Sequence, residues 1–145
     1  MADTWTPDLS IVNGLLDTGH SWSSPAIFDD SGIWKLISGD SSDAFYGWYW
    51  NGSTWVSDSS IVSGLSAGTF NTPTIFNYSG TLKLISGCYL GTYHGFYWNG
   101  TTWISDSSII SGLGDIGDYS SSTVFNDSDT WKLICKCLEC LKIWV

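Results

Sequence analysis

The stretch FYGWYWNGSTWVSDSSIVSGL, residues 45–65, returns almost unchanged as HGFYWNGTTWISDSSIISGL over 94–113. A shorter relative, TWTPDLSIVNGL, occupies 4–15. Trp5, Trp55 and Trp103 correspond, as do Gly14, Gly64 and Gly112, then Phe28, Phe76 and Phe125, then Lys35, Lys83 and Lys132. The spacing defines a unit of about 48 residues, and self-similarity at such a period is the mark of a repeat architecture.

Within the unit the local signals are for strands. SPAIFDD and TPTIFNY are short apolar runs closed by Ser-Gly, and WKLISG or LKLISG follows at once, which reads as a tight hairpin. The aromatic run ending in YWNG is a third strand, with Asn-Gly suited to a two-residue type I′ turn, and TWVSDSSIV is expected to return as a fourth. No segment sustains an apolar period of 3.6 residues, so helix is expected to be absent or minor.

Four antiparallel strands at this period predict an all-β chain of β-propeller blades, in preference to a β-solenoid or prism. Sheets packed face to face on both sides explain strands such as GWYW, which are apolar throughout. With strands A to D named outward from the centre, the chain reads as one repeat domain over 1–145. An orphan outer strand D covers 4–12, a first blade 24–62, a second 72–110 and an incomplete third 122–145. Three blades are too few for a ring, whose usual range is four to eight. The expected assembly is a homodimer in which residues 4–12 of each chain complete the third blade of the other, giving six blades and removing two exposed sheet edges. After Ile134 the repeat breaks off into CKCLEC and then LKIWV, which leaves room for a third strand and makes a truncated or frame-shifted copy the alternative.

Composition narrows the functional classes. The chain has 145 residues and a net charge of −9, with all five of its basic residues lysines, a balance that repels phosphate backbones and anionic lipid. Nucleic acid is not an expected partner. The longest apolar runs fall far short of the roughly 20 residues needed to span a bilayer, and MADTWTPDLS lacks the basic and apolar regions of a signal peptide. Cys88, Cys135, Cys137 and Cys140 are too clustered for a disulfide framework and offer only Cys88 as a fourth ligand to a three-thiolate group, so free thiols and no zinc are expected. The Asn-x-Ser/Thr strings at Asn51, Asn77, Asn99 and Asn126 all fall at predicted turns, where Asn belongs on conformational grounds.

The runs SPAIFDDSGIWKLISG and FYGWYWNGSTW resemble the FG-GAP or VCBS type of propeller repeat found in integrin α-chains and in an integrin-like mushroom lectin. In that family the loop between strands A and B often binds calcium through Asp residues. The matching positions here are Asp29, Ser31 and Lys35, then Asn77, Ser79 and Lys83, then Asn126, Ser128 and Lys132. One or two carboxylates beside an ammonium are a poor set for an ion that takes six to eight oxygens, so no calcium is expected. Each lysine either stands in for the ion beside Asp29, Asn77 or Asn126, or points to solvent.

The only histidines, His20 and His94, recur in no other copy, and SDSS looks like the polar face of strand D, so no enzyme is expected. A binding module fits better, and no cofactor is implied. The D-to-A and B-to-C loops share one face of the ring and carry Trp22, Phe70 and Tyr119, with Asp40, Asp43 and Tyr46 in one blade and Tyr89, Tyr93 and His94 in the next. Aromatic planes beside carboxylates and hydroxyls suit a glycan, as the lectin resemblance also implies. Trp22, Phe70 and Tyr119 serve equally well as plugs between blades. The alternative role is a structural, self-assembling scaffold with no small ligand.

Overall fold

A computed structural model describes residues 8–15, 23–66, 68–114, 120–136 and 141–144. The protein is all-β, built of three antiparallel sheets in chain order. The first holds β1 (Ser24–Asp30), β2 (Ile33–Gly39), β3 (Phe45–Trp50) and β4 (Trp55–Ser57). The second holds β5 (Thr72–Tyr78), β6 (Thr81–Gly87), β7 (Tyr93–Trp98) and β8 (Trp103–Ser105). The third holds β9 (Ser121–Asp127), β10 (Thr130–Lys136) and β11 (Leu141–Trp144). In every sheet each strand pairs with the next in sequence, as a chain of hairpins requires.

Turn chemistry sets these registers. Asp30 pairs with Ile33 across Ser31 (φ 58°) and Gly32 (φ 87°), and Tyr78 pairs with Thr81 across Ser79 (φ 50°) and Gly80 (φ 84°). Positive φ at both central residues is the type I′ pattern, whose twist matches that of the flanking strands. The third copy puts Asp129 where the others have glycine, at φ 66°, a backbone region that costs a residue with a Cβ.

The YWNG corners differ from expectation. They are four-residue loops: the Asn51 side-chain oxygen accepts from Ser53 N at 3.0 Å and Thr54 N at 2.9 Å, and Asn99 repeats this with Thr101 N and Thr102 N. The asparagine acts through its side chain rather than through positive φ.

Strand D is also shorter than expected. It ends at Ser57 and Ser105, and SSIV and SSII form 3-10 turns, η2 (Ser59–Val62) and η3 (Ser107–Ile110). The aspartate of SDSS is the cause, because Asp58 Oδ1 accepts from Ser60 N at 2.9 Å and Asp106 Oδ1 from Ser108 N at 3.1 Å, each capping the turn. The segment expected as an orphan strand over 4–12 follows the same rule. Leu9–Val12 is a 3-10 turn, η1, capped by Asp8, while residues 4–7 lie outside the described residues.

These turns join one sheet to the next. The Trp103 indole Nε1–H donates to Ile61 O at 2.9 Å, Trp103 N to Ser63 O at 2.9 Å and Thr102 Oγ1 to Ser63 O at 2.7 Å. Trp55 and Thr54 make the same three bonds to Ile11 O and Asn13 O, at 2.8, 2.9 and 2.8 Å. At the other edge the first strands lie side by side, with Thr72 Oγ1 donating to Ser120 O at 2.7 Å and Thr74 Oγ1 to Ser122 O at 2.6 Å.

The core lies between the sheets. Phe28, Ile37, Ile61, Leu84, Phe96, Trp98 and Trp103 fill the first interface, and Ile85, Tyr93, Leu133 and Cys135 the second. Successive residues Leu84 and Ile85 therefore face opposite neighbours, and the middle sheet is covered on both faces as the unbroken apolar runs suggested.

Two outcomes follow. Trp103→Phe keeps the ring but strands the Ile61 carbonyl, and is expected to lower unfolding free energy by about 1–3 kcal/mol in urea titration, while Ile104→Ala on the exposed face changes it by less than about 1 kcal/mol. Asp129→Gly is expected to raise the urea midpoint, by about 1 kcal/mol in free energy, because the native backbone there already has positive φ.

Candidate functional site

The segment before β5 and the β6–β7 loop meet at one end of the second sheet. Tyr89 N donates to Thr69 O at 2.7 Å, which brings the Phe70 and Tyr89 rings to 5.7 Å between centroids at 48°. Phe70 holds φ 59°, so the loop enforces its placement there. The side chains of Cys88 and His94 border the backbone at Gly68, beneath the same loop. Leu90, 67 % exposed, stands beside Tyr89 in the chain. Phe70, Tyr89 and His94 are each half-buried, leaving part of each ring system at the surface.

Asp40 reaches the same segment from the first sheet, where its carbonyl accepts from Asn71 N at 3.1 Å. Its side chain is 1 % exposed; Oδ1 accepts from Ser42 N at 2.7 Å and Ser42 Oγ at 2.6 Å, and Oδ2 has no hydrogen-bond partner among the described residues. Asn71 is fully buried, taking Gly68 N on Oδ1 at 2.9 Å with Nδ2 unpaired among the described residues. Sequence reading passed over Asn71, although a small polar residue precedes the first strand of every unit, at Ser23, Asn71 and Ser120.

The remaining predicted residues go elsewhere. Asp43 is an exposed loop residue at φ 62°. Tyr46 packs on the cluster of Leu36, Trp48 and Trp55, its ring 6.2 Å from Trp48. Tyr93 is a core residue, 8 % exposed and packed with Ile85, Leu133 and Cys135. Burial above all, and then the Cys135 thiol, push its phenol far above the ordinary value, and burial likewise raises Cys135, so both stay protonated and unreactive. Trp22 and Tyr119 lie outside the described residues.

At the other end of the sheets the positions matching calcium ligands serve the turns. Asp29 Oδ1 accepts from Gly32 N at 2.6 Å and Asn77 Oδ1 from Gly80 N at 2.8 Å. The three lysines adopt neither expected arrangement. Lys35 pairs with Asp30 at 2.6 Å, Lys83 with Asp106 at 2.7 Å, and Lys132 with Asp127. Lys35 Nζ also lies 5.0 Å from the Trp98 ring centre, so one ammonium serves a hairpin and the neighbouring sheet. Among the described residues no three His, Cys, Asp or Glu side chains come together as a metal site. Cys137 and Cys140 lie outside those residues.

Comparison with protein-family models, with curated proteins and with solved structures found no match.

The acid limb of stability follows from the turn caps. Lys83, then the Ser108 hydroxyl, hold the Asp106 carboxyl below its ordinary value of 3.8, and Ser60 does the same for Asp58. A carboxylate whose folded value is depressed stabilises the fold above its unfolded value, and the gain is lost as pH falls through the folded one. Urea midpoints are therefore expected to be flat above about pH 5 and to fall below about pH 4, with Asp106→Asn showing a lower plateau and a shallower decline.

Proposed function

We propose that the chain is a set of β-propeller blades of the FG-GAP or VCBS kind and serves as a non-enzymatic binding module, with carbohydrate as the ligand class. The propeller reading draws on the contacts between sheets: first strands pack side by side at one edge, and at the other the tryptophans of the fourth strands bond to the preceding turns. The binding reading rests on one observation, the Phe70–Tyr89 pair held across two loops by the Tyr89 N to Thr69 O bond. Rings fixed in advance lose little entropy on contact, and an apolar sugar face stacks on them while its hydroxyls reach polar groups at the loop such as His94.

Glycan-array screening followed by calorimetry tests this. A saturable ligand is expected, with Phe70→Ala and Tyr89→Ala each weakening it about tenfold at unchanged thermal stability. Absence of any saturable glycan, or affinity indifferent to both variants, would defeat the reading. A second reading, a self-assembling scaffold without a small ligand, is favoured by the second inter-sheet space, where the turn carbonyls of η3 receive no tryptophan among the described residues.

A further inference from the structure

The two inter-sheet spaces are built from matching residues but are not equally filled. In the first, Trp103 packs edge-on to Phe28 at 5.7 Å, Trp98 lies 5.3 Å from Trp103, and Phe28 and Ile61 are 3 % and 1 % exposed. In the second, the counterparts Phe76 and Ile109 are only half-buried. They line an open cleft of about 630 Å³ together with Ile85, Leu113, Val124 and Leu133.

The rim of this cleft repeats the receiving end of the tryptophan bonds. Ile109 and Ser111 are the counterparts of the acceptors Ile11 and Asn13, and of Ile61 and Ser63, on a turn of the same conformation. The neighbouring glycines make the same point: a Cβ on Gly14 or Gly64 would collide with the carbonyl of Trp55 or Trp103. Gly112 holds the same backbone, φ 85°, yet no described residue lies within 4 Å of that position. The contact surface for a Thr-Trp pair is formed, and among the described residues nothing occupies it.

We infer that this cleft receives Thr4 and Trp5 of a second copy of the chain. Thr4-Trp5 is the third Thr-Trp pair of the repeat, and in all three copies an aspartate follows three residues after the tryptophan, at Asp8, Asp58 and Asp106. The chain's own pair does not reach. Asp8 begins the turn that lies against Trp55 in the first sheet, and the three chain steps from it back to Trp5 span about 10 Å at most, against two inter-sheet steps of about 10 Å each. In the docked arrangement the partner's Trp5 Nε1–H donates to Ile109 O, while the partner's Trp5 N and Thr4 Oγ1 bond Ser111 O.

One residue opposes full docking. In the pairing register Ile143 stands where the other sheets have Gly47 and Gly95, with Leu133 facing Trp144 as Leu84 faces Phe96. A Cβ at Gly47 would lie 2.7 Å from Asp58 O and 2.8 Å from Ile61 Cβ, so these glycines admit the capped turn that follows strand D. Ile143, 61 % exposed, obstructs the equivalent Asp8–Ile11 turn of an incoming copy.

Sedimentation equilibrium of the full 145-residue chain over a concentration series tests the inference. Reversible association is expected, with Trp5→Ala weakening it at least about tenfold, the effect of losing a buried tryptophan anchor, and leaving the circular dichroism spectrum unchanged. Ile143→Gly is expected to tighten association at least about threefold by removing the obstruction. A mass of one chain at every concentration, association indifferent to Trp5→Ala, or association unchanged or weakened by Ile143→Gly would each overturn it. The second of these outcomes would mean that something other than this tryptophan fills the cleft.

Discussion

The bond from a tryptophan indole to the backbone carbonyl of the preceding turn is the constraint on which the rest of the molecule depends. Trp103 is 1 % exposed and spends its only side-chain donor on Ile61 O. That carbonyl is available because Asp58 caps η2, and a 3-10 turn this short leaves its last carbonyls without partners of its own. Cap, turn, carbonyl and indole form one chain of dependence that runs from one repeat into the next, because the indole on the Ile61 carbonyl is that of Trp103 in the following sheet. The inter-sheet core then assembles around a ring whose orientation is already fixed by hydrogen bonding, so Phe28 and Ile61 are packed against a defined surface.

Charge is handled on the same plan. A chain this acidic destabilises itself by repulsion, and each repeat answers with a lysine at the third position of its second strand, Lys35, Lys83 and Lys132. The partner changes with local sequence. Lys35 and Lys132 have an aspartate at the end of the first strand, whereas the corresponding residue of the second sheet is Tyr78, and Lys83 turns to Asp106 instead. The substitution transfers the ion pair from the hairpin to the turn cap, which ties the capping aspartate of η3 to the middle of its own sheet.

Repeat, hairpins and sheet order were legible because they depend on local signals: period, Ser-Gly turns and runs of β-branched and aromatic residues. The 3-10 turns were not, because SDSSIV carries an apolar, β-branched ending that also suits a strand, and only the capping bond that Ser60 N donates to the Asp58 carboxylate decides between them. The loop end was legible in part. Proximity in sequence grouped Tyr89, Tyr93 and His94, yet Tyr93 begins a strand covered on both faces and turns into the core with Cys135, while Phe70 and Tyr89 meet through a backbone bond that no pattern announces. Strands apolar throughout carry no alternation to mark which side is wet, so aromatic residues near a loop divide between core and surface without a sequence cue.

Stability in a repeat fold is close to a sum of units and the contacts between neighbours, which makes the two inter-sheet spaces unequal contributors here. The first buries two tryptophans and five other hydrophobic side chains from both sheets and the intervening turn. The second has Trp131 leaning on Phe76 at 5.3 Å in partial compensation, with a hairpin that places Asp129 at positive φ and a third strand of only four residues. Order established at the first interface therefore does more to hold the second sheet than the third sheet does. The least stable element is also the one bordering the open cleft, so whatever fills that cleft stabilises the third sheet at the same time as it binds.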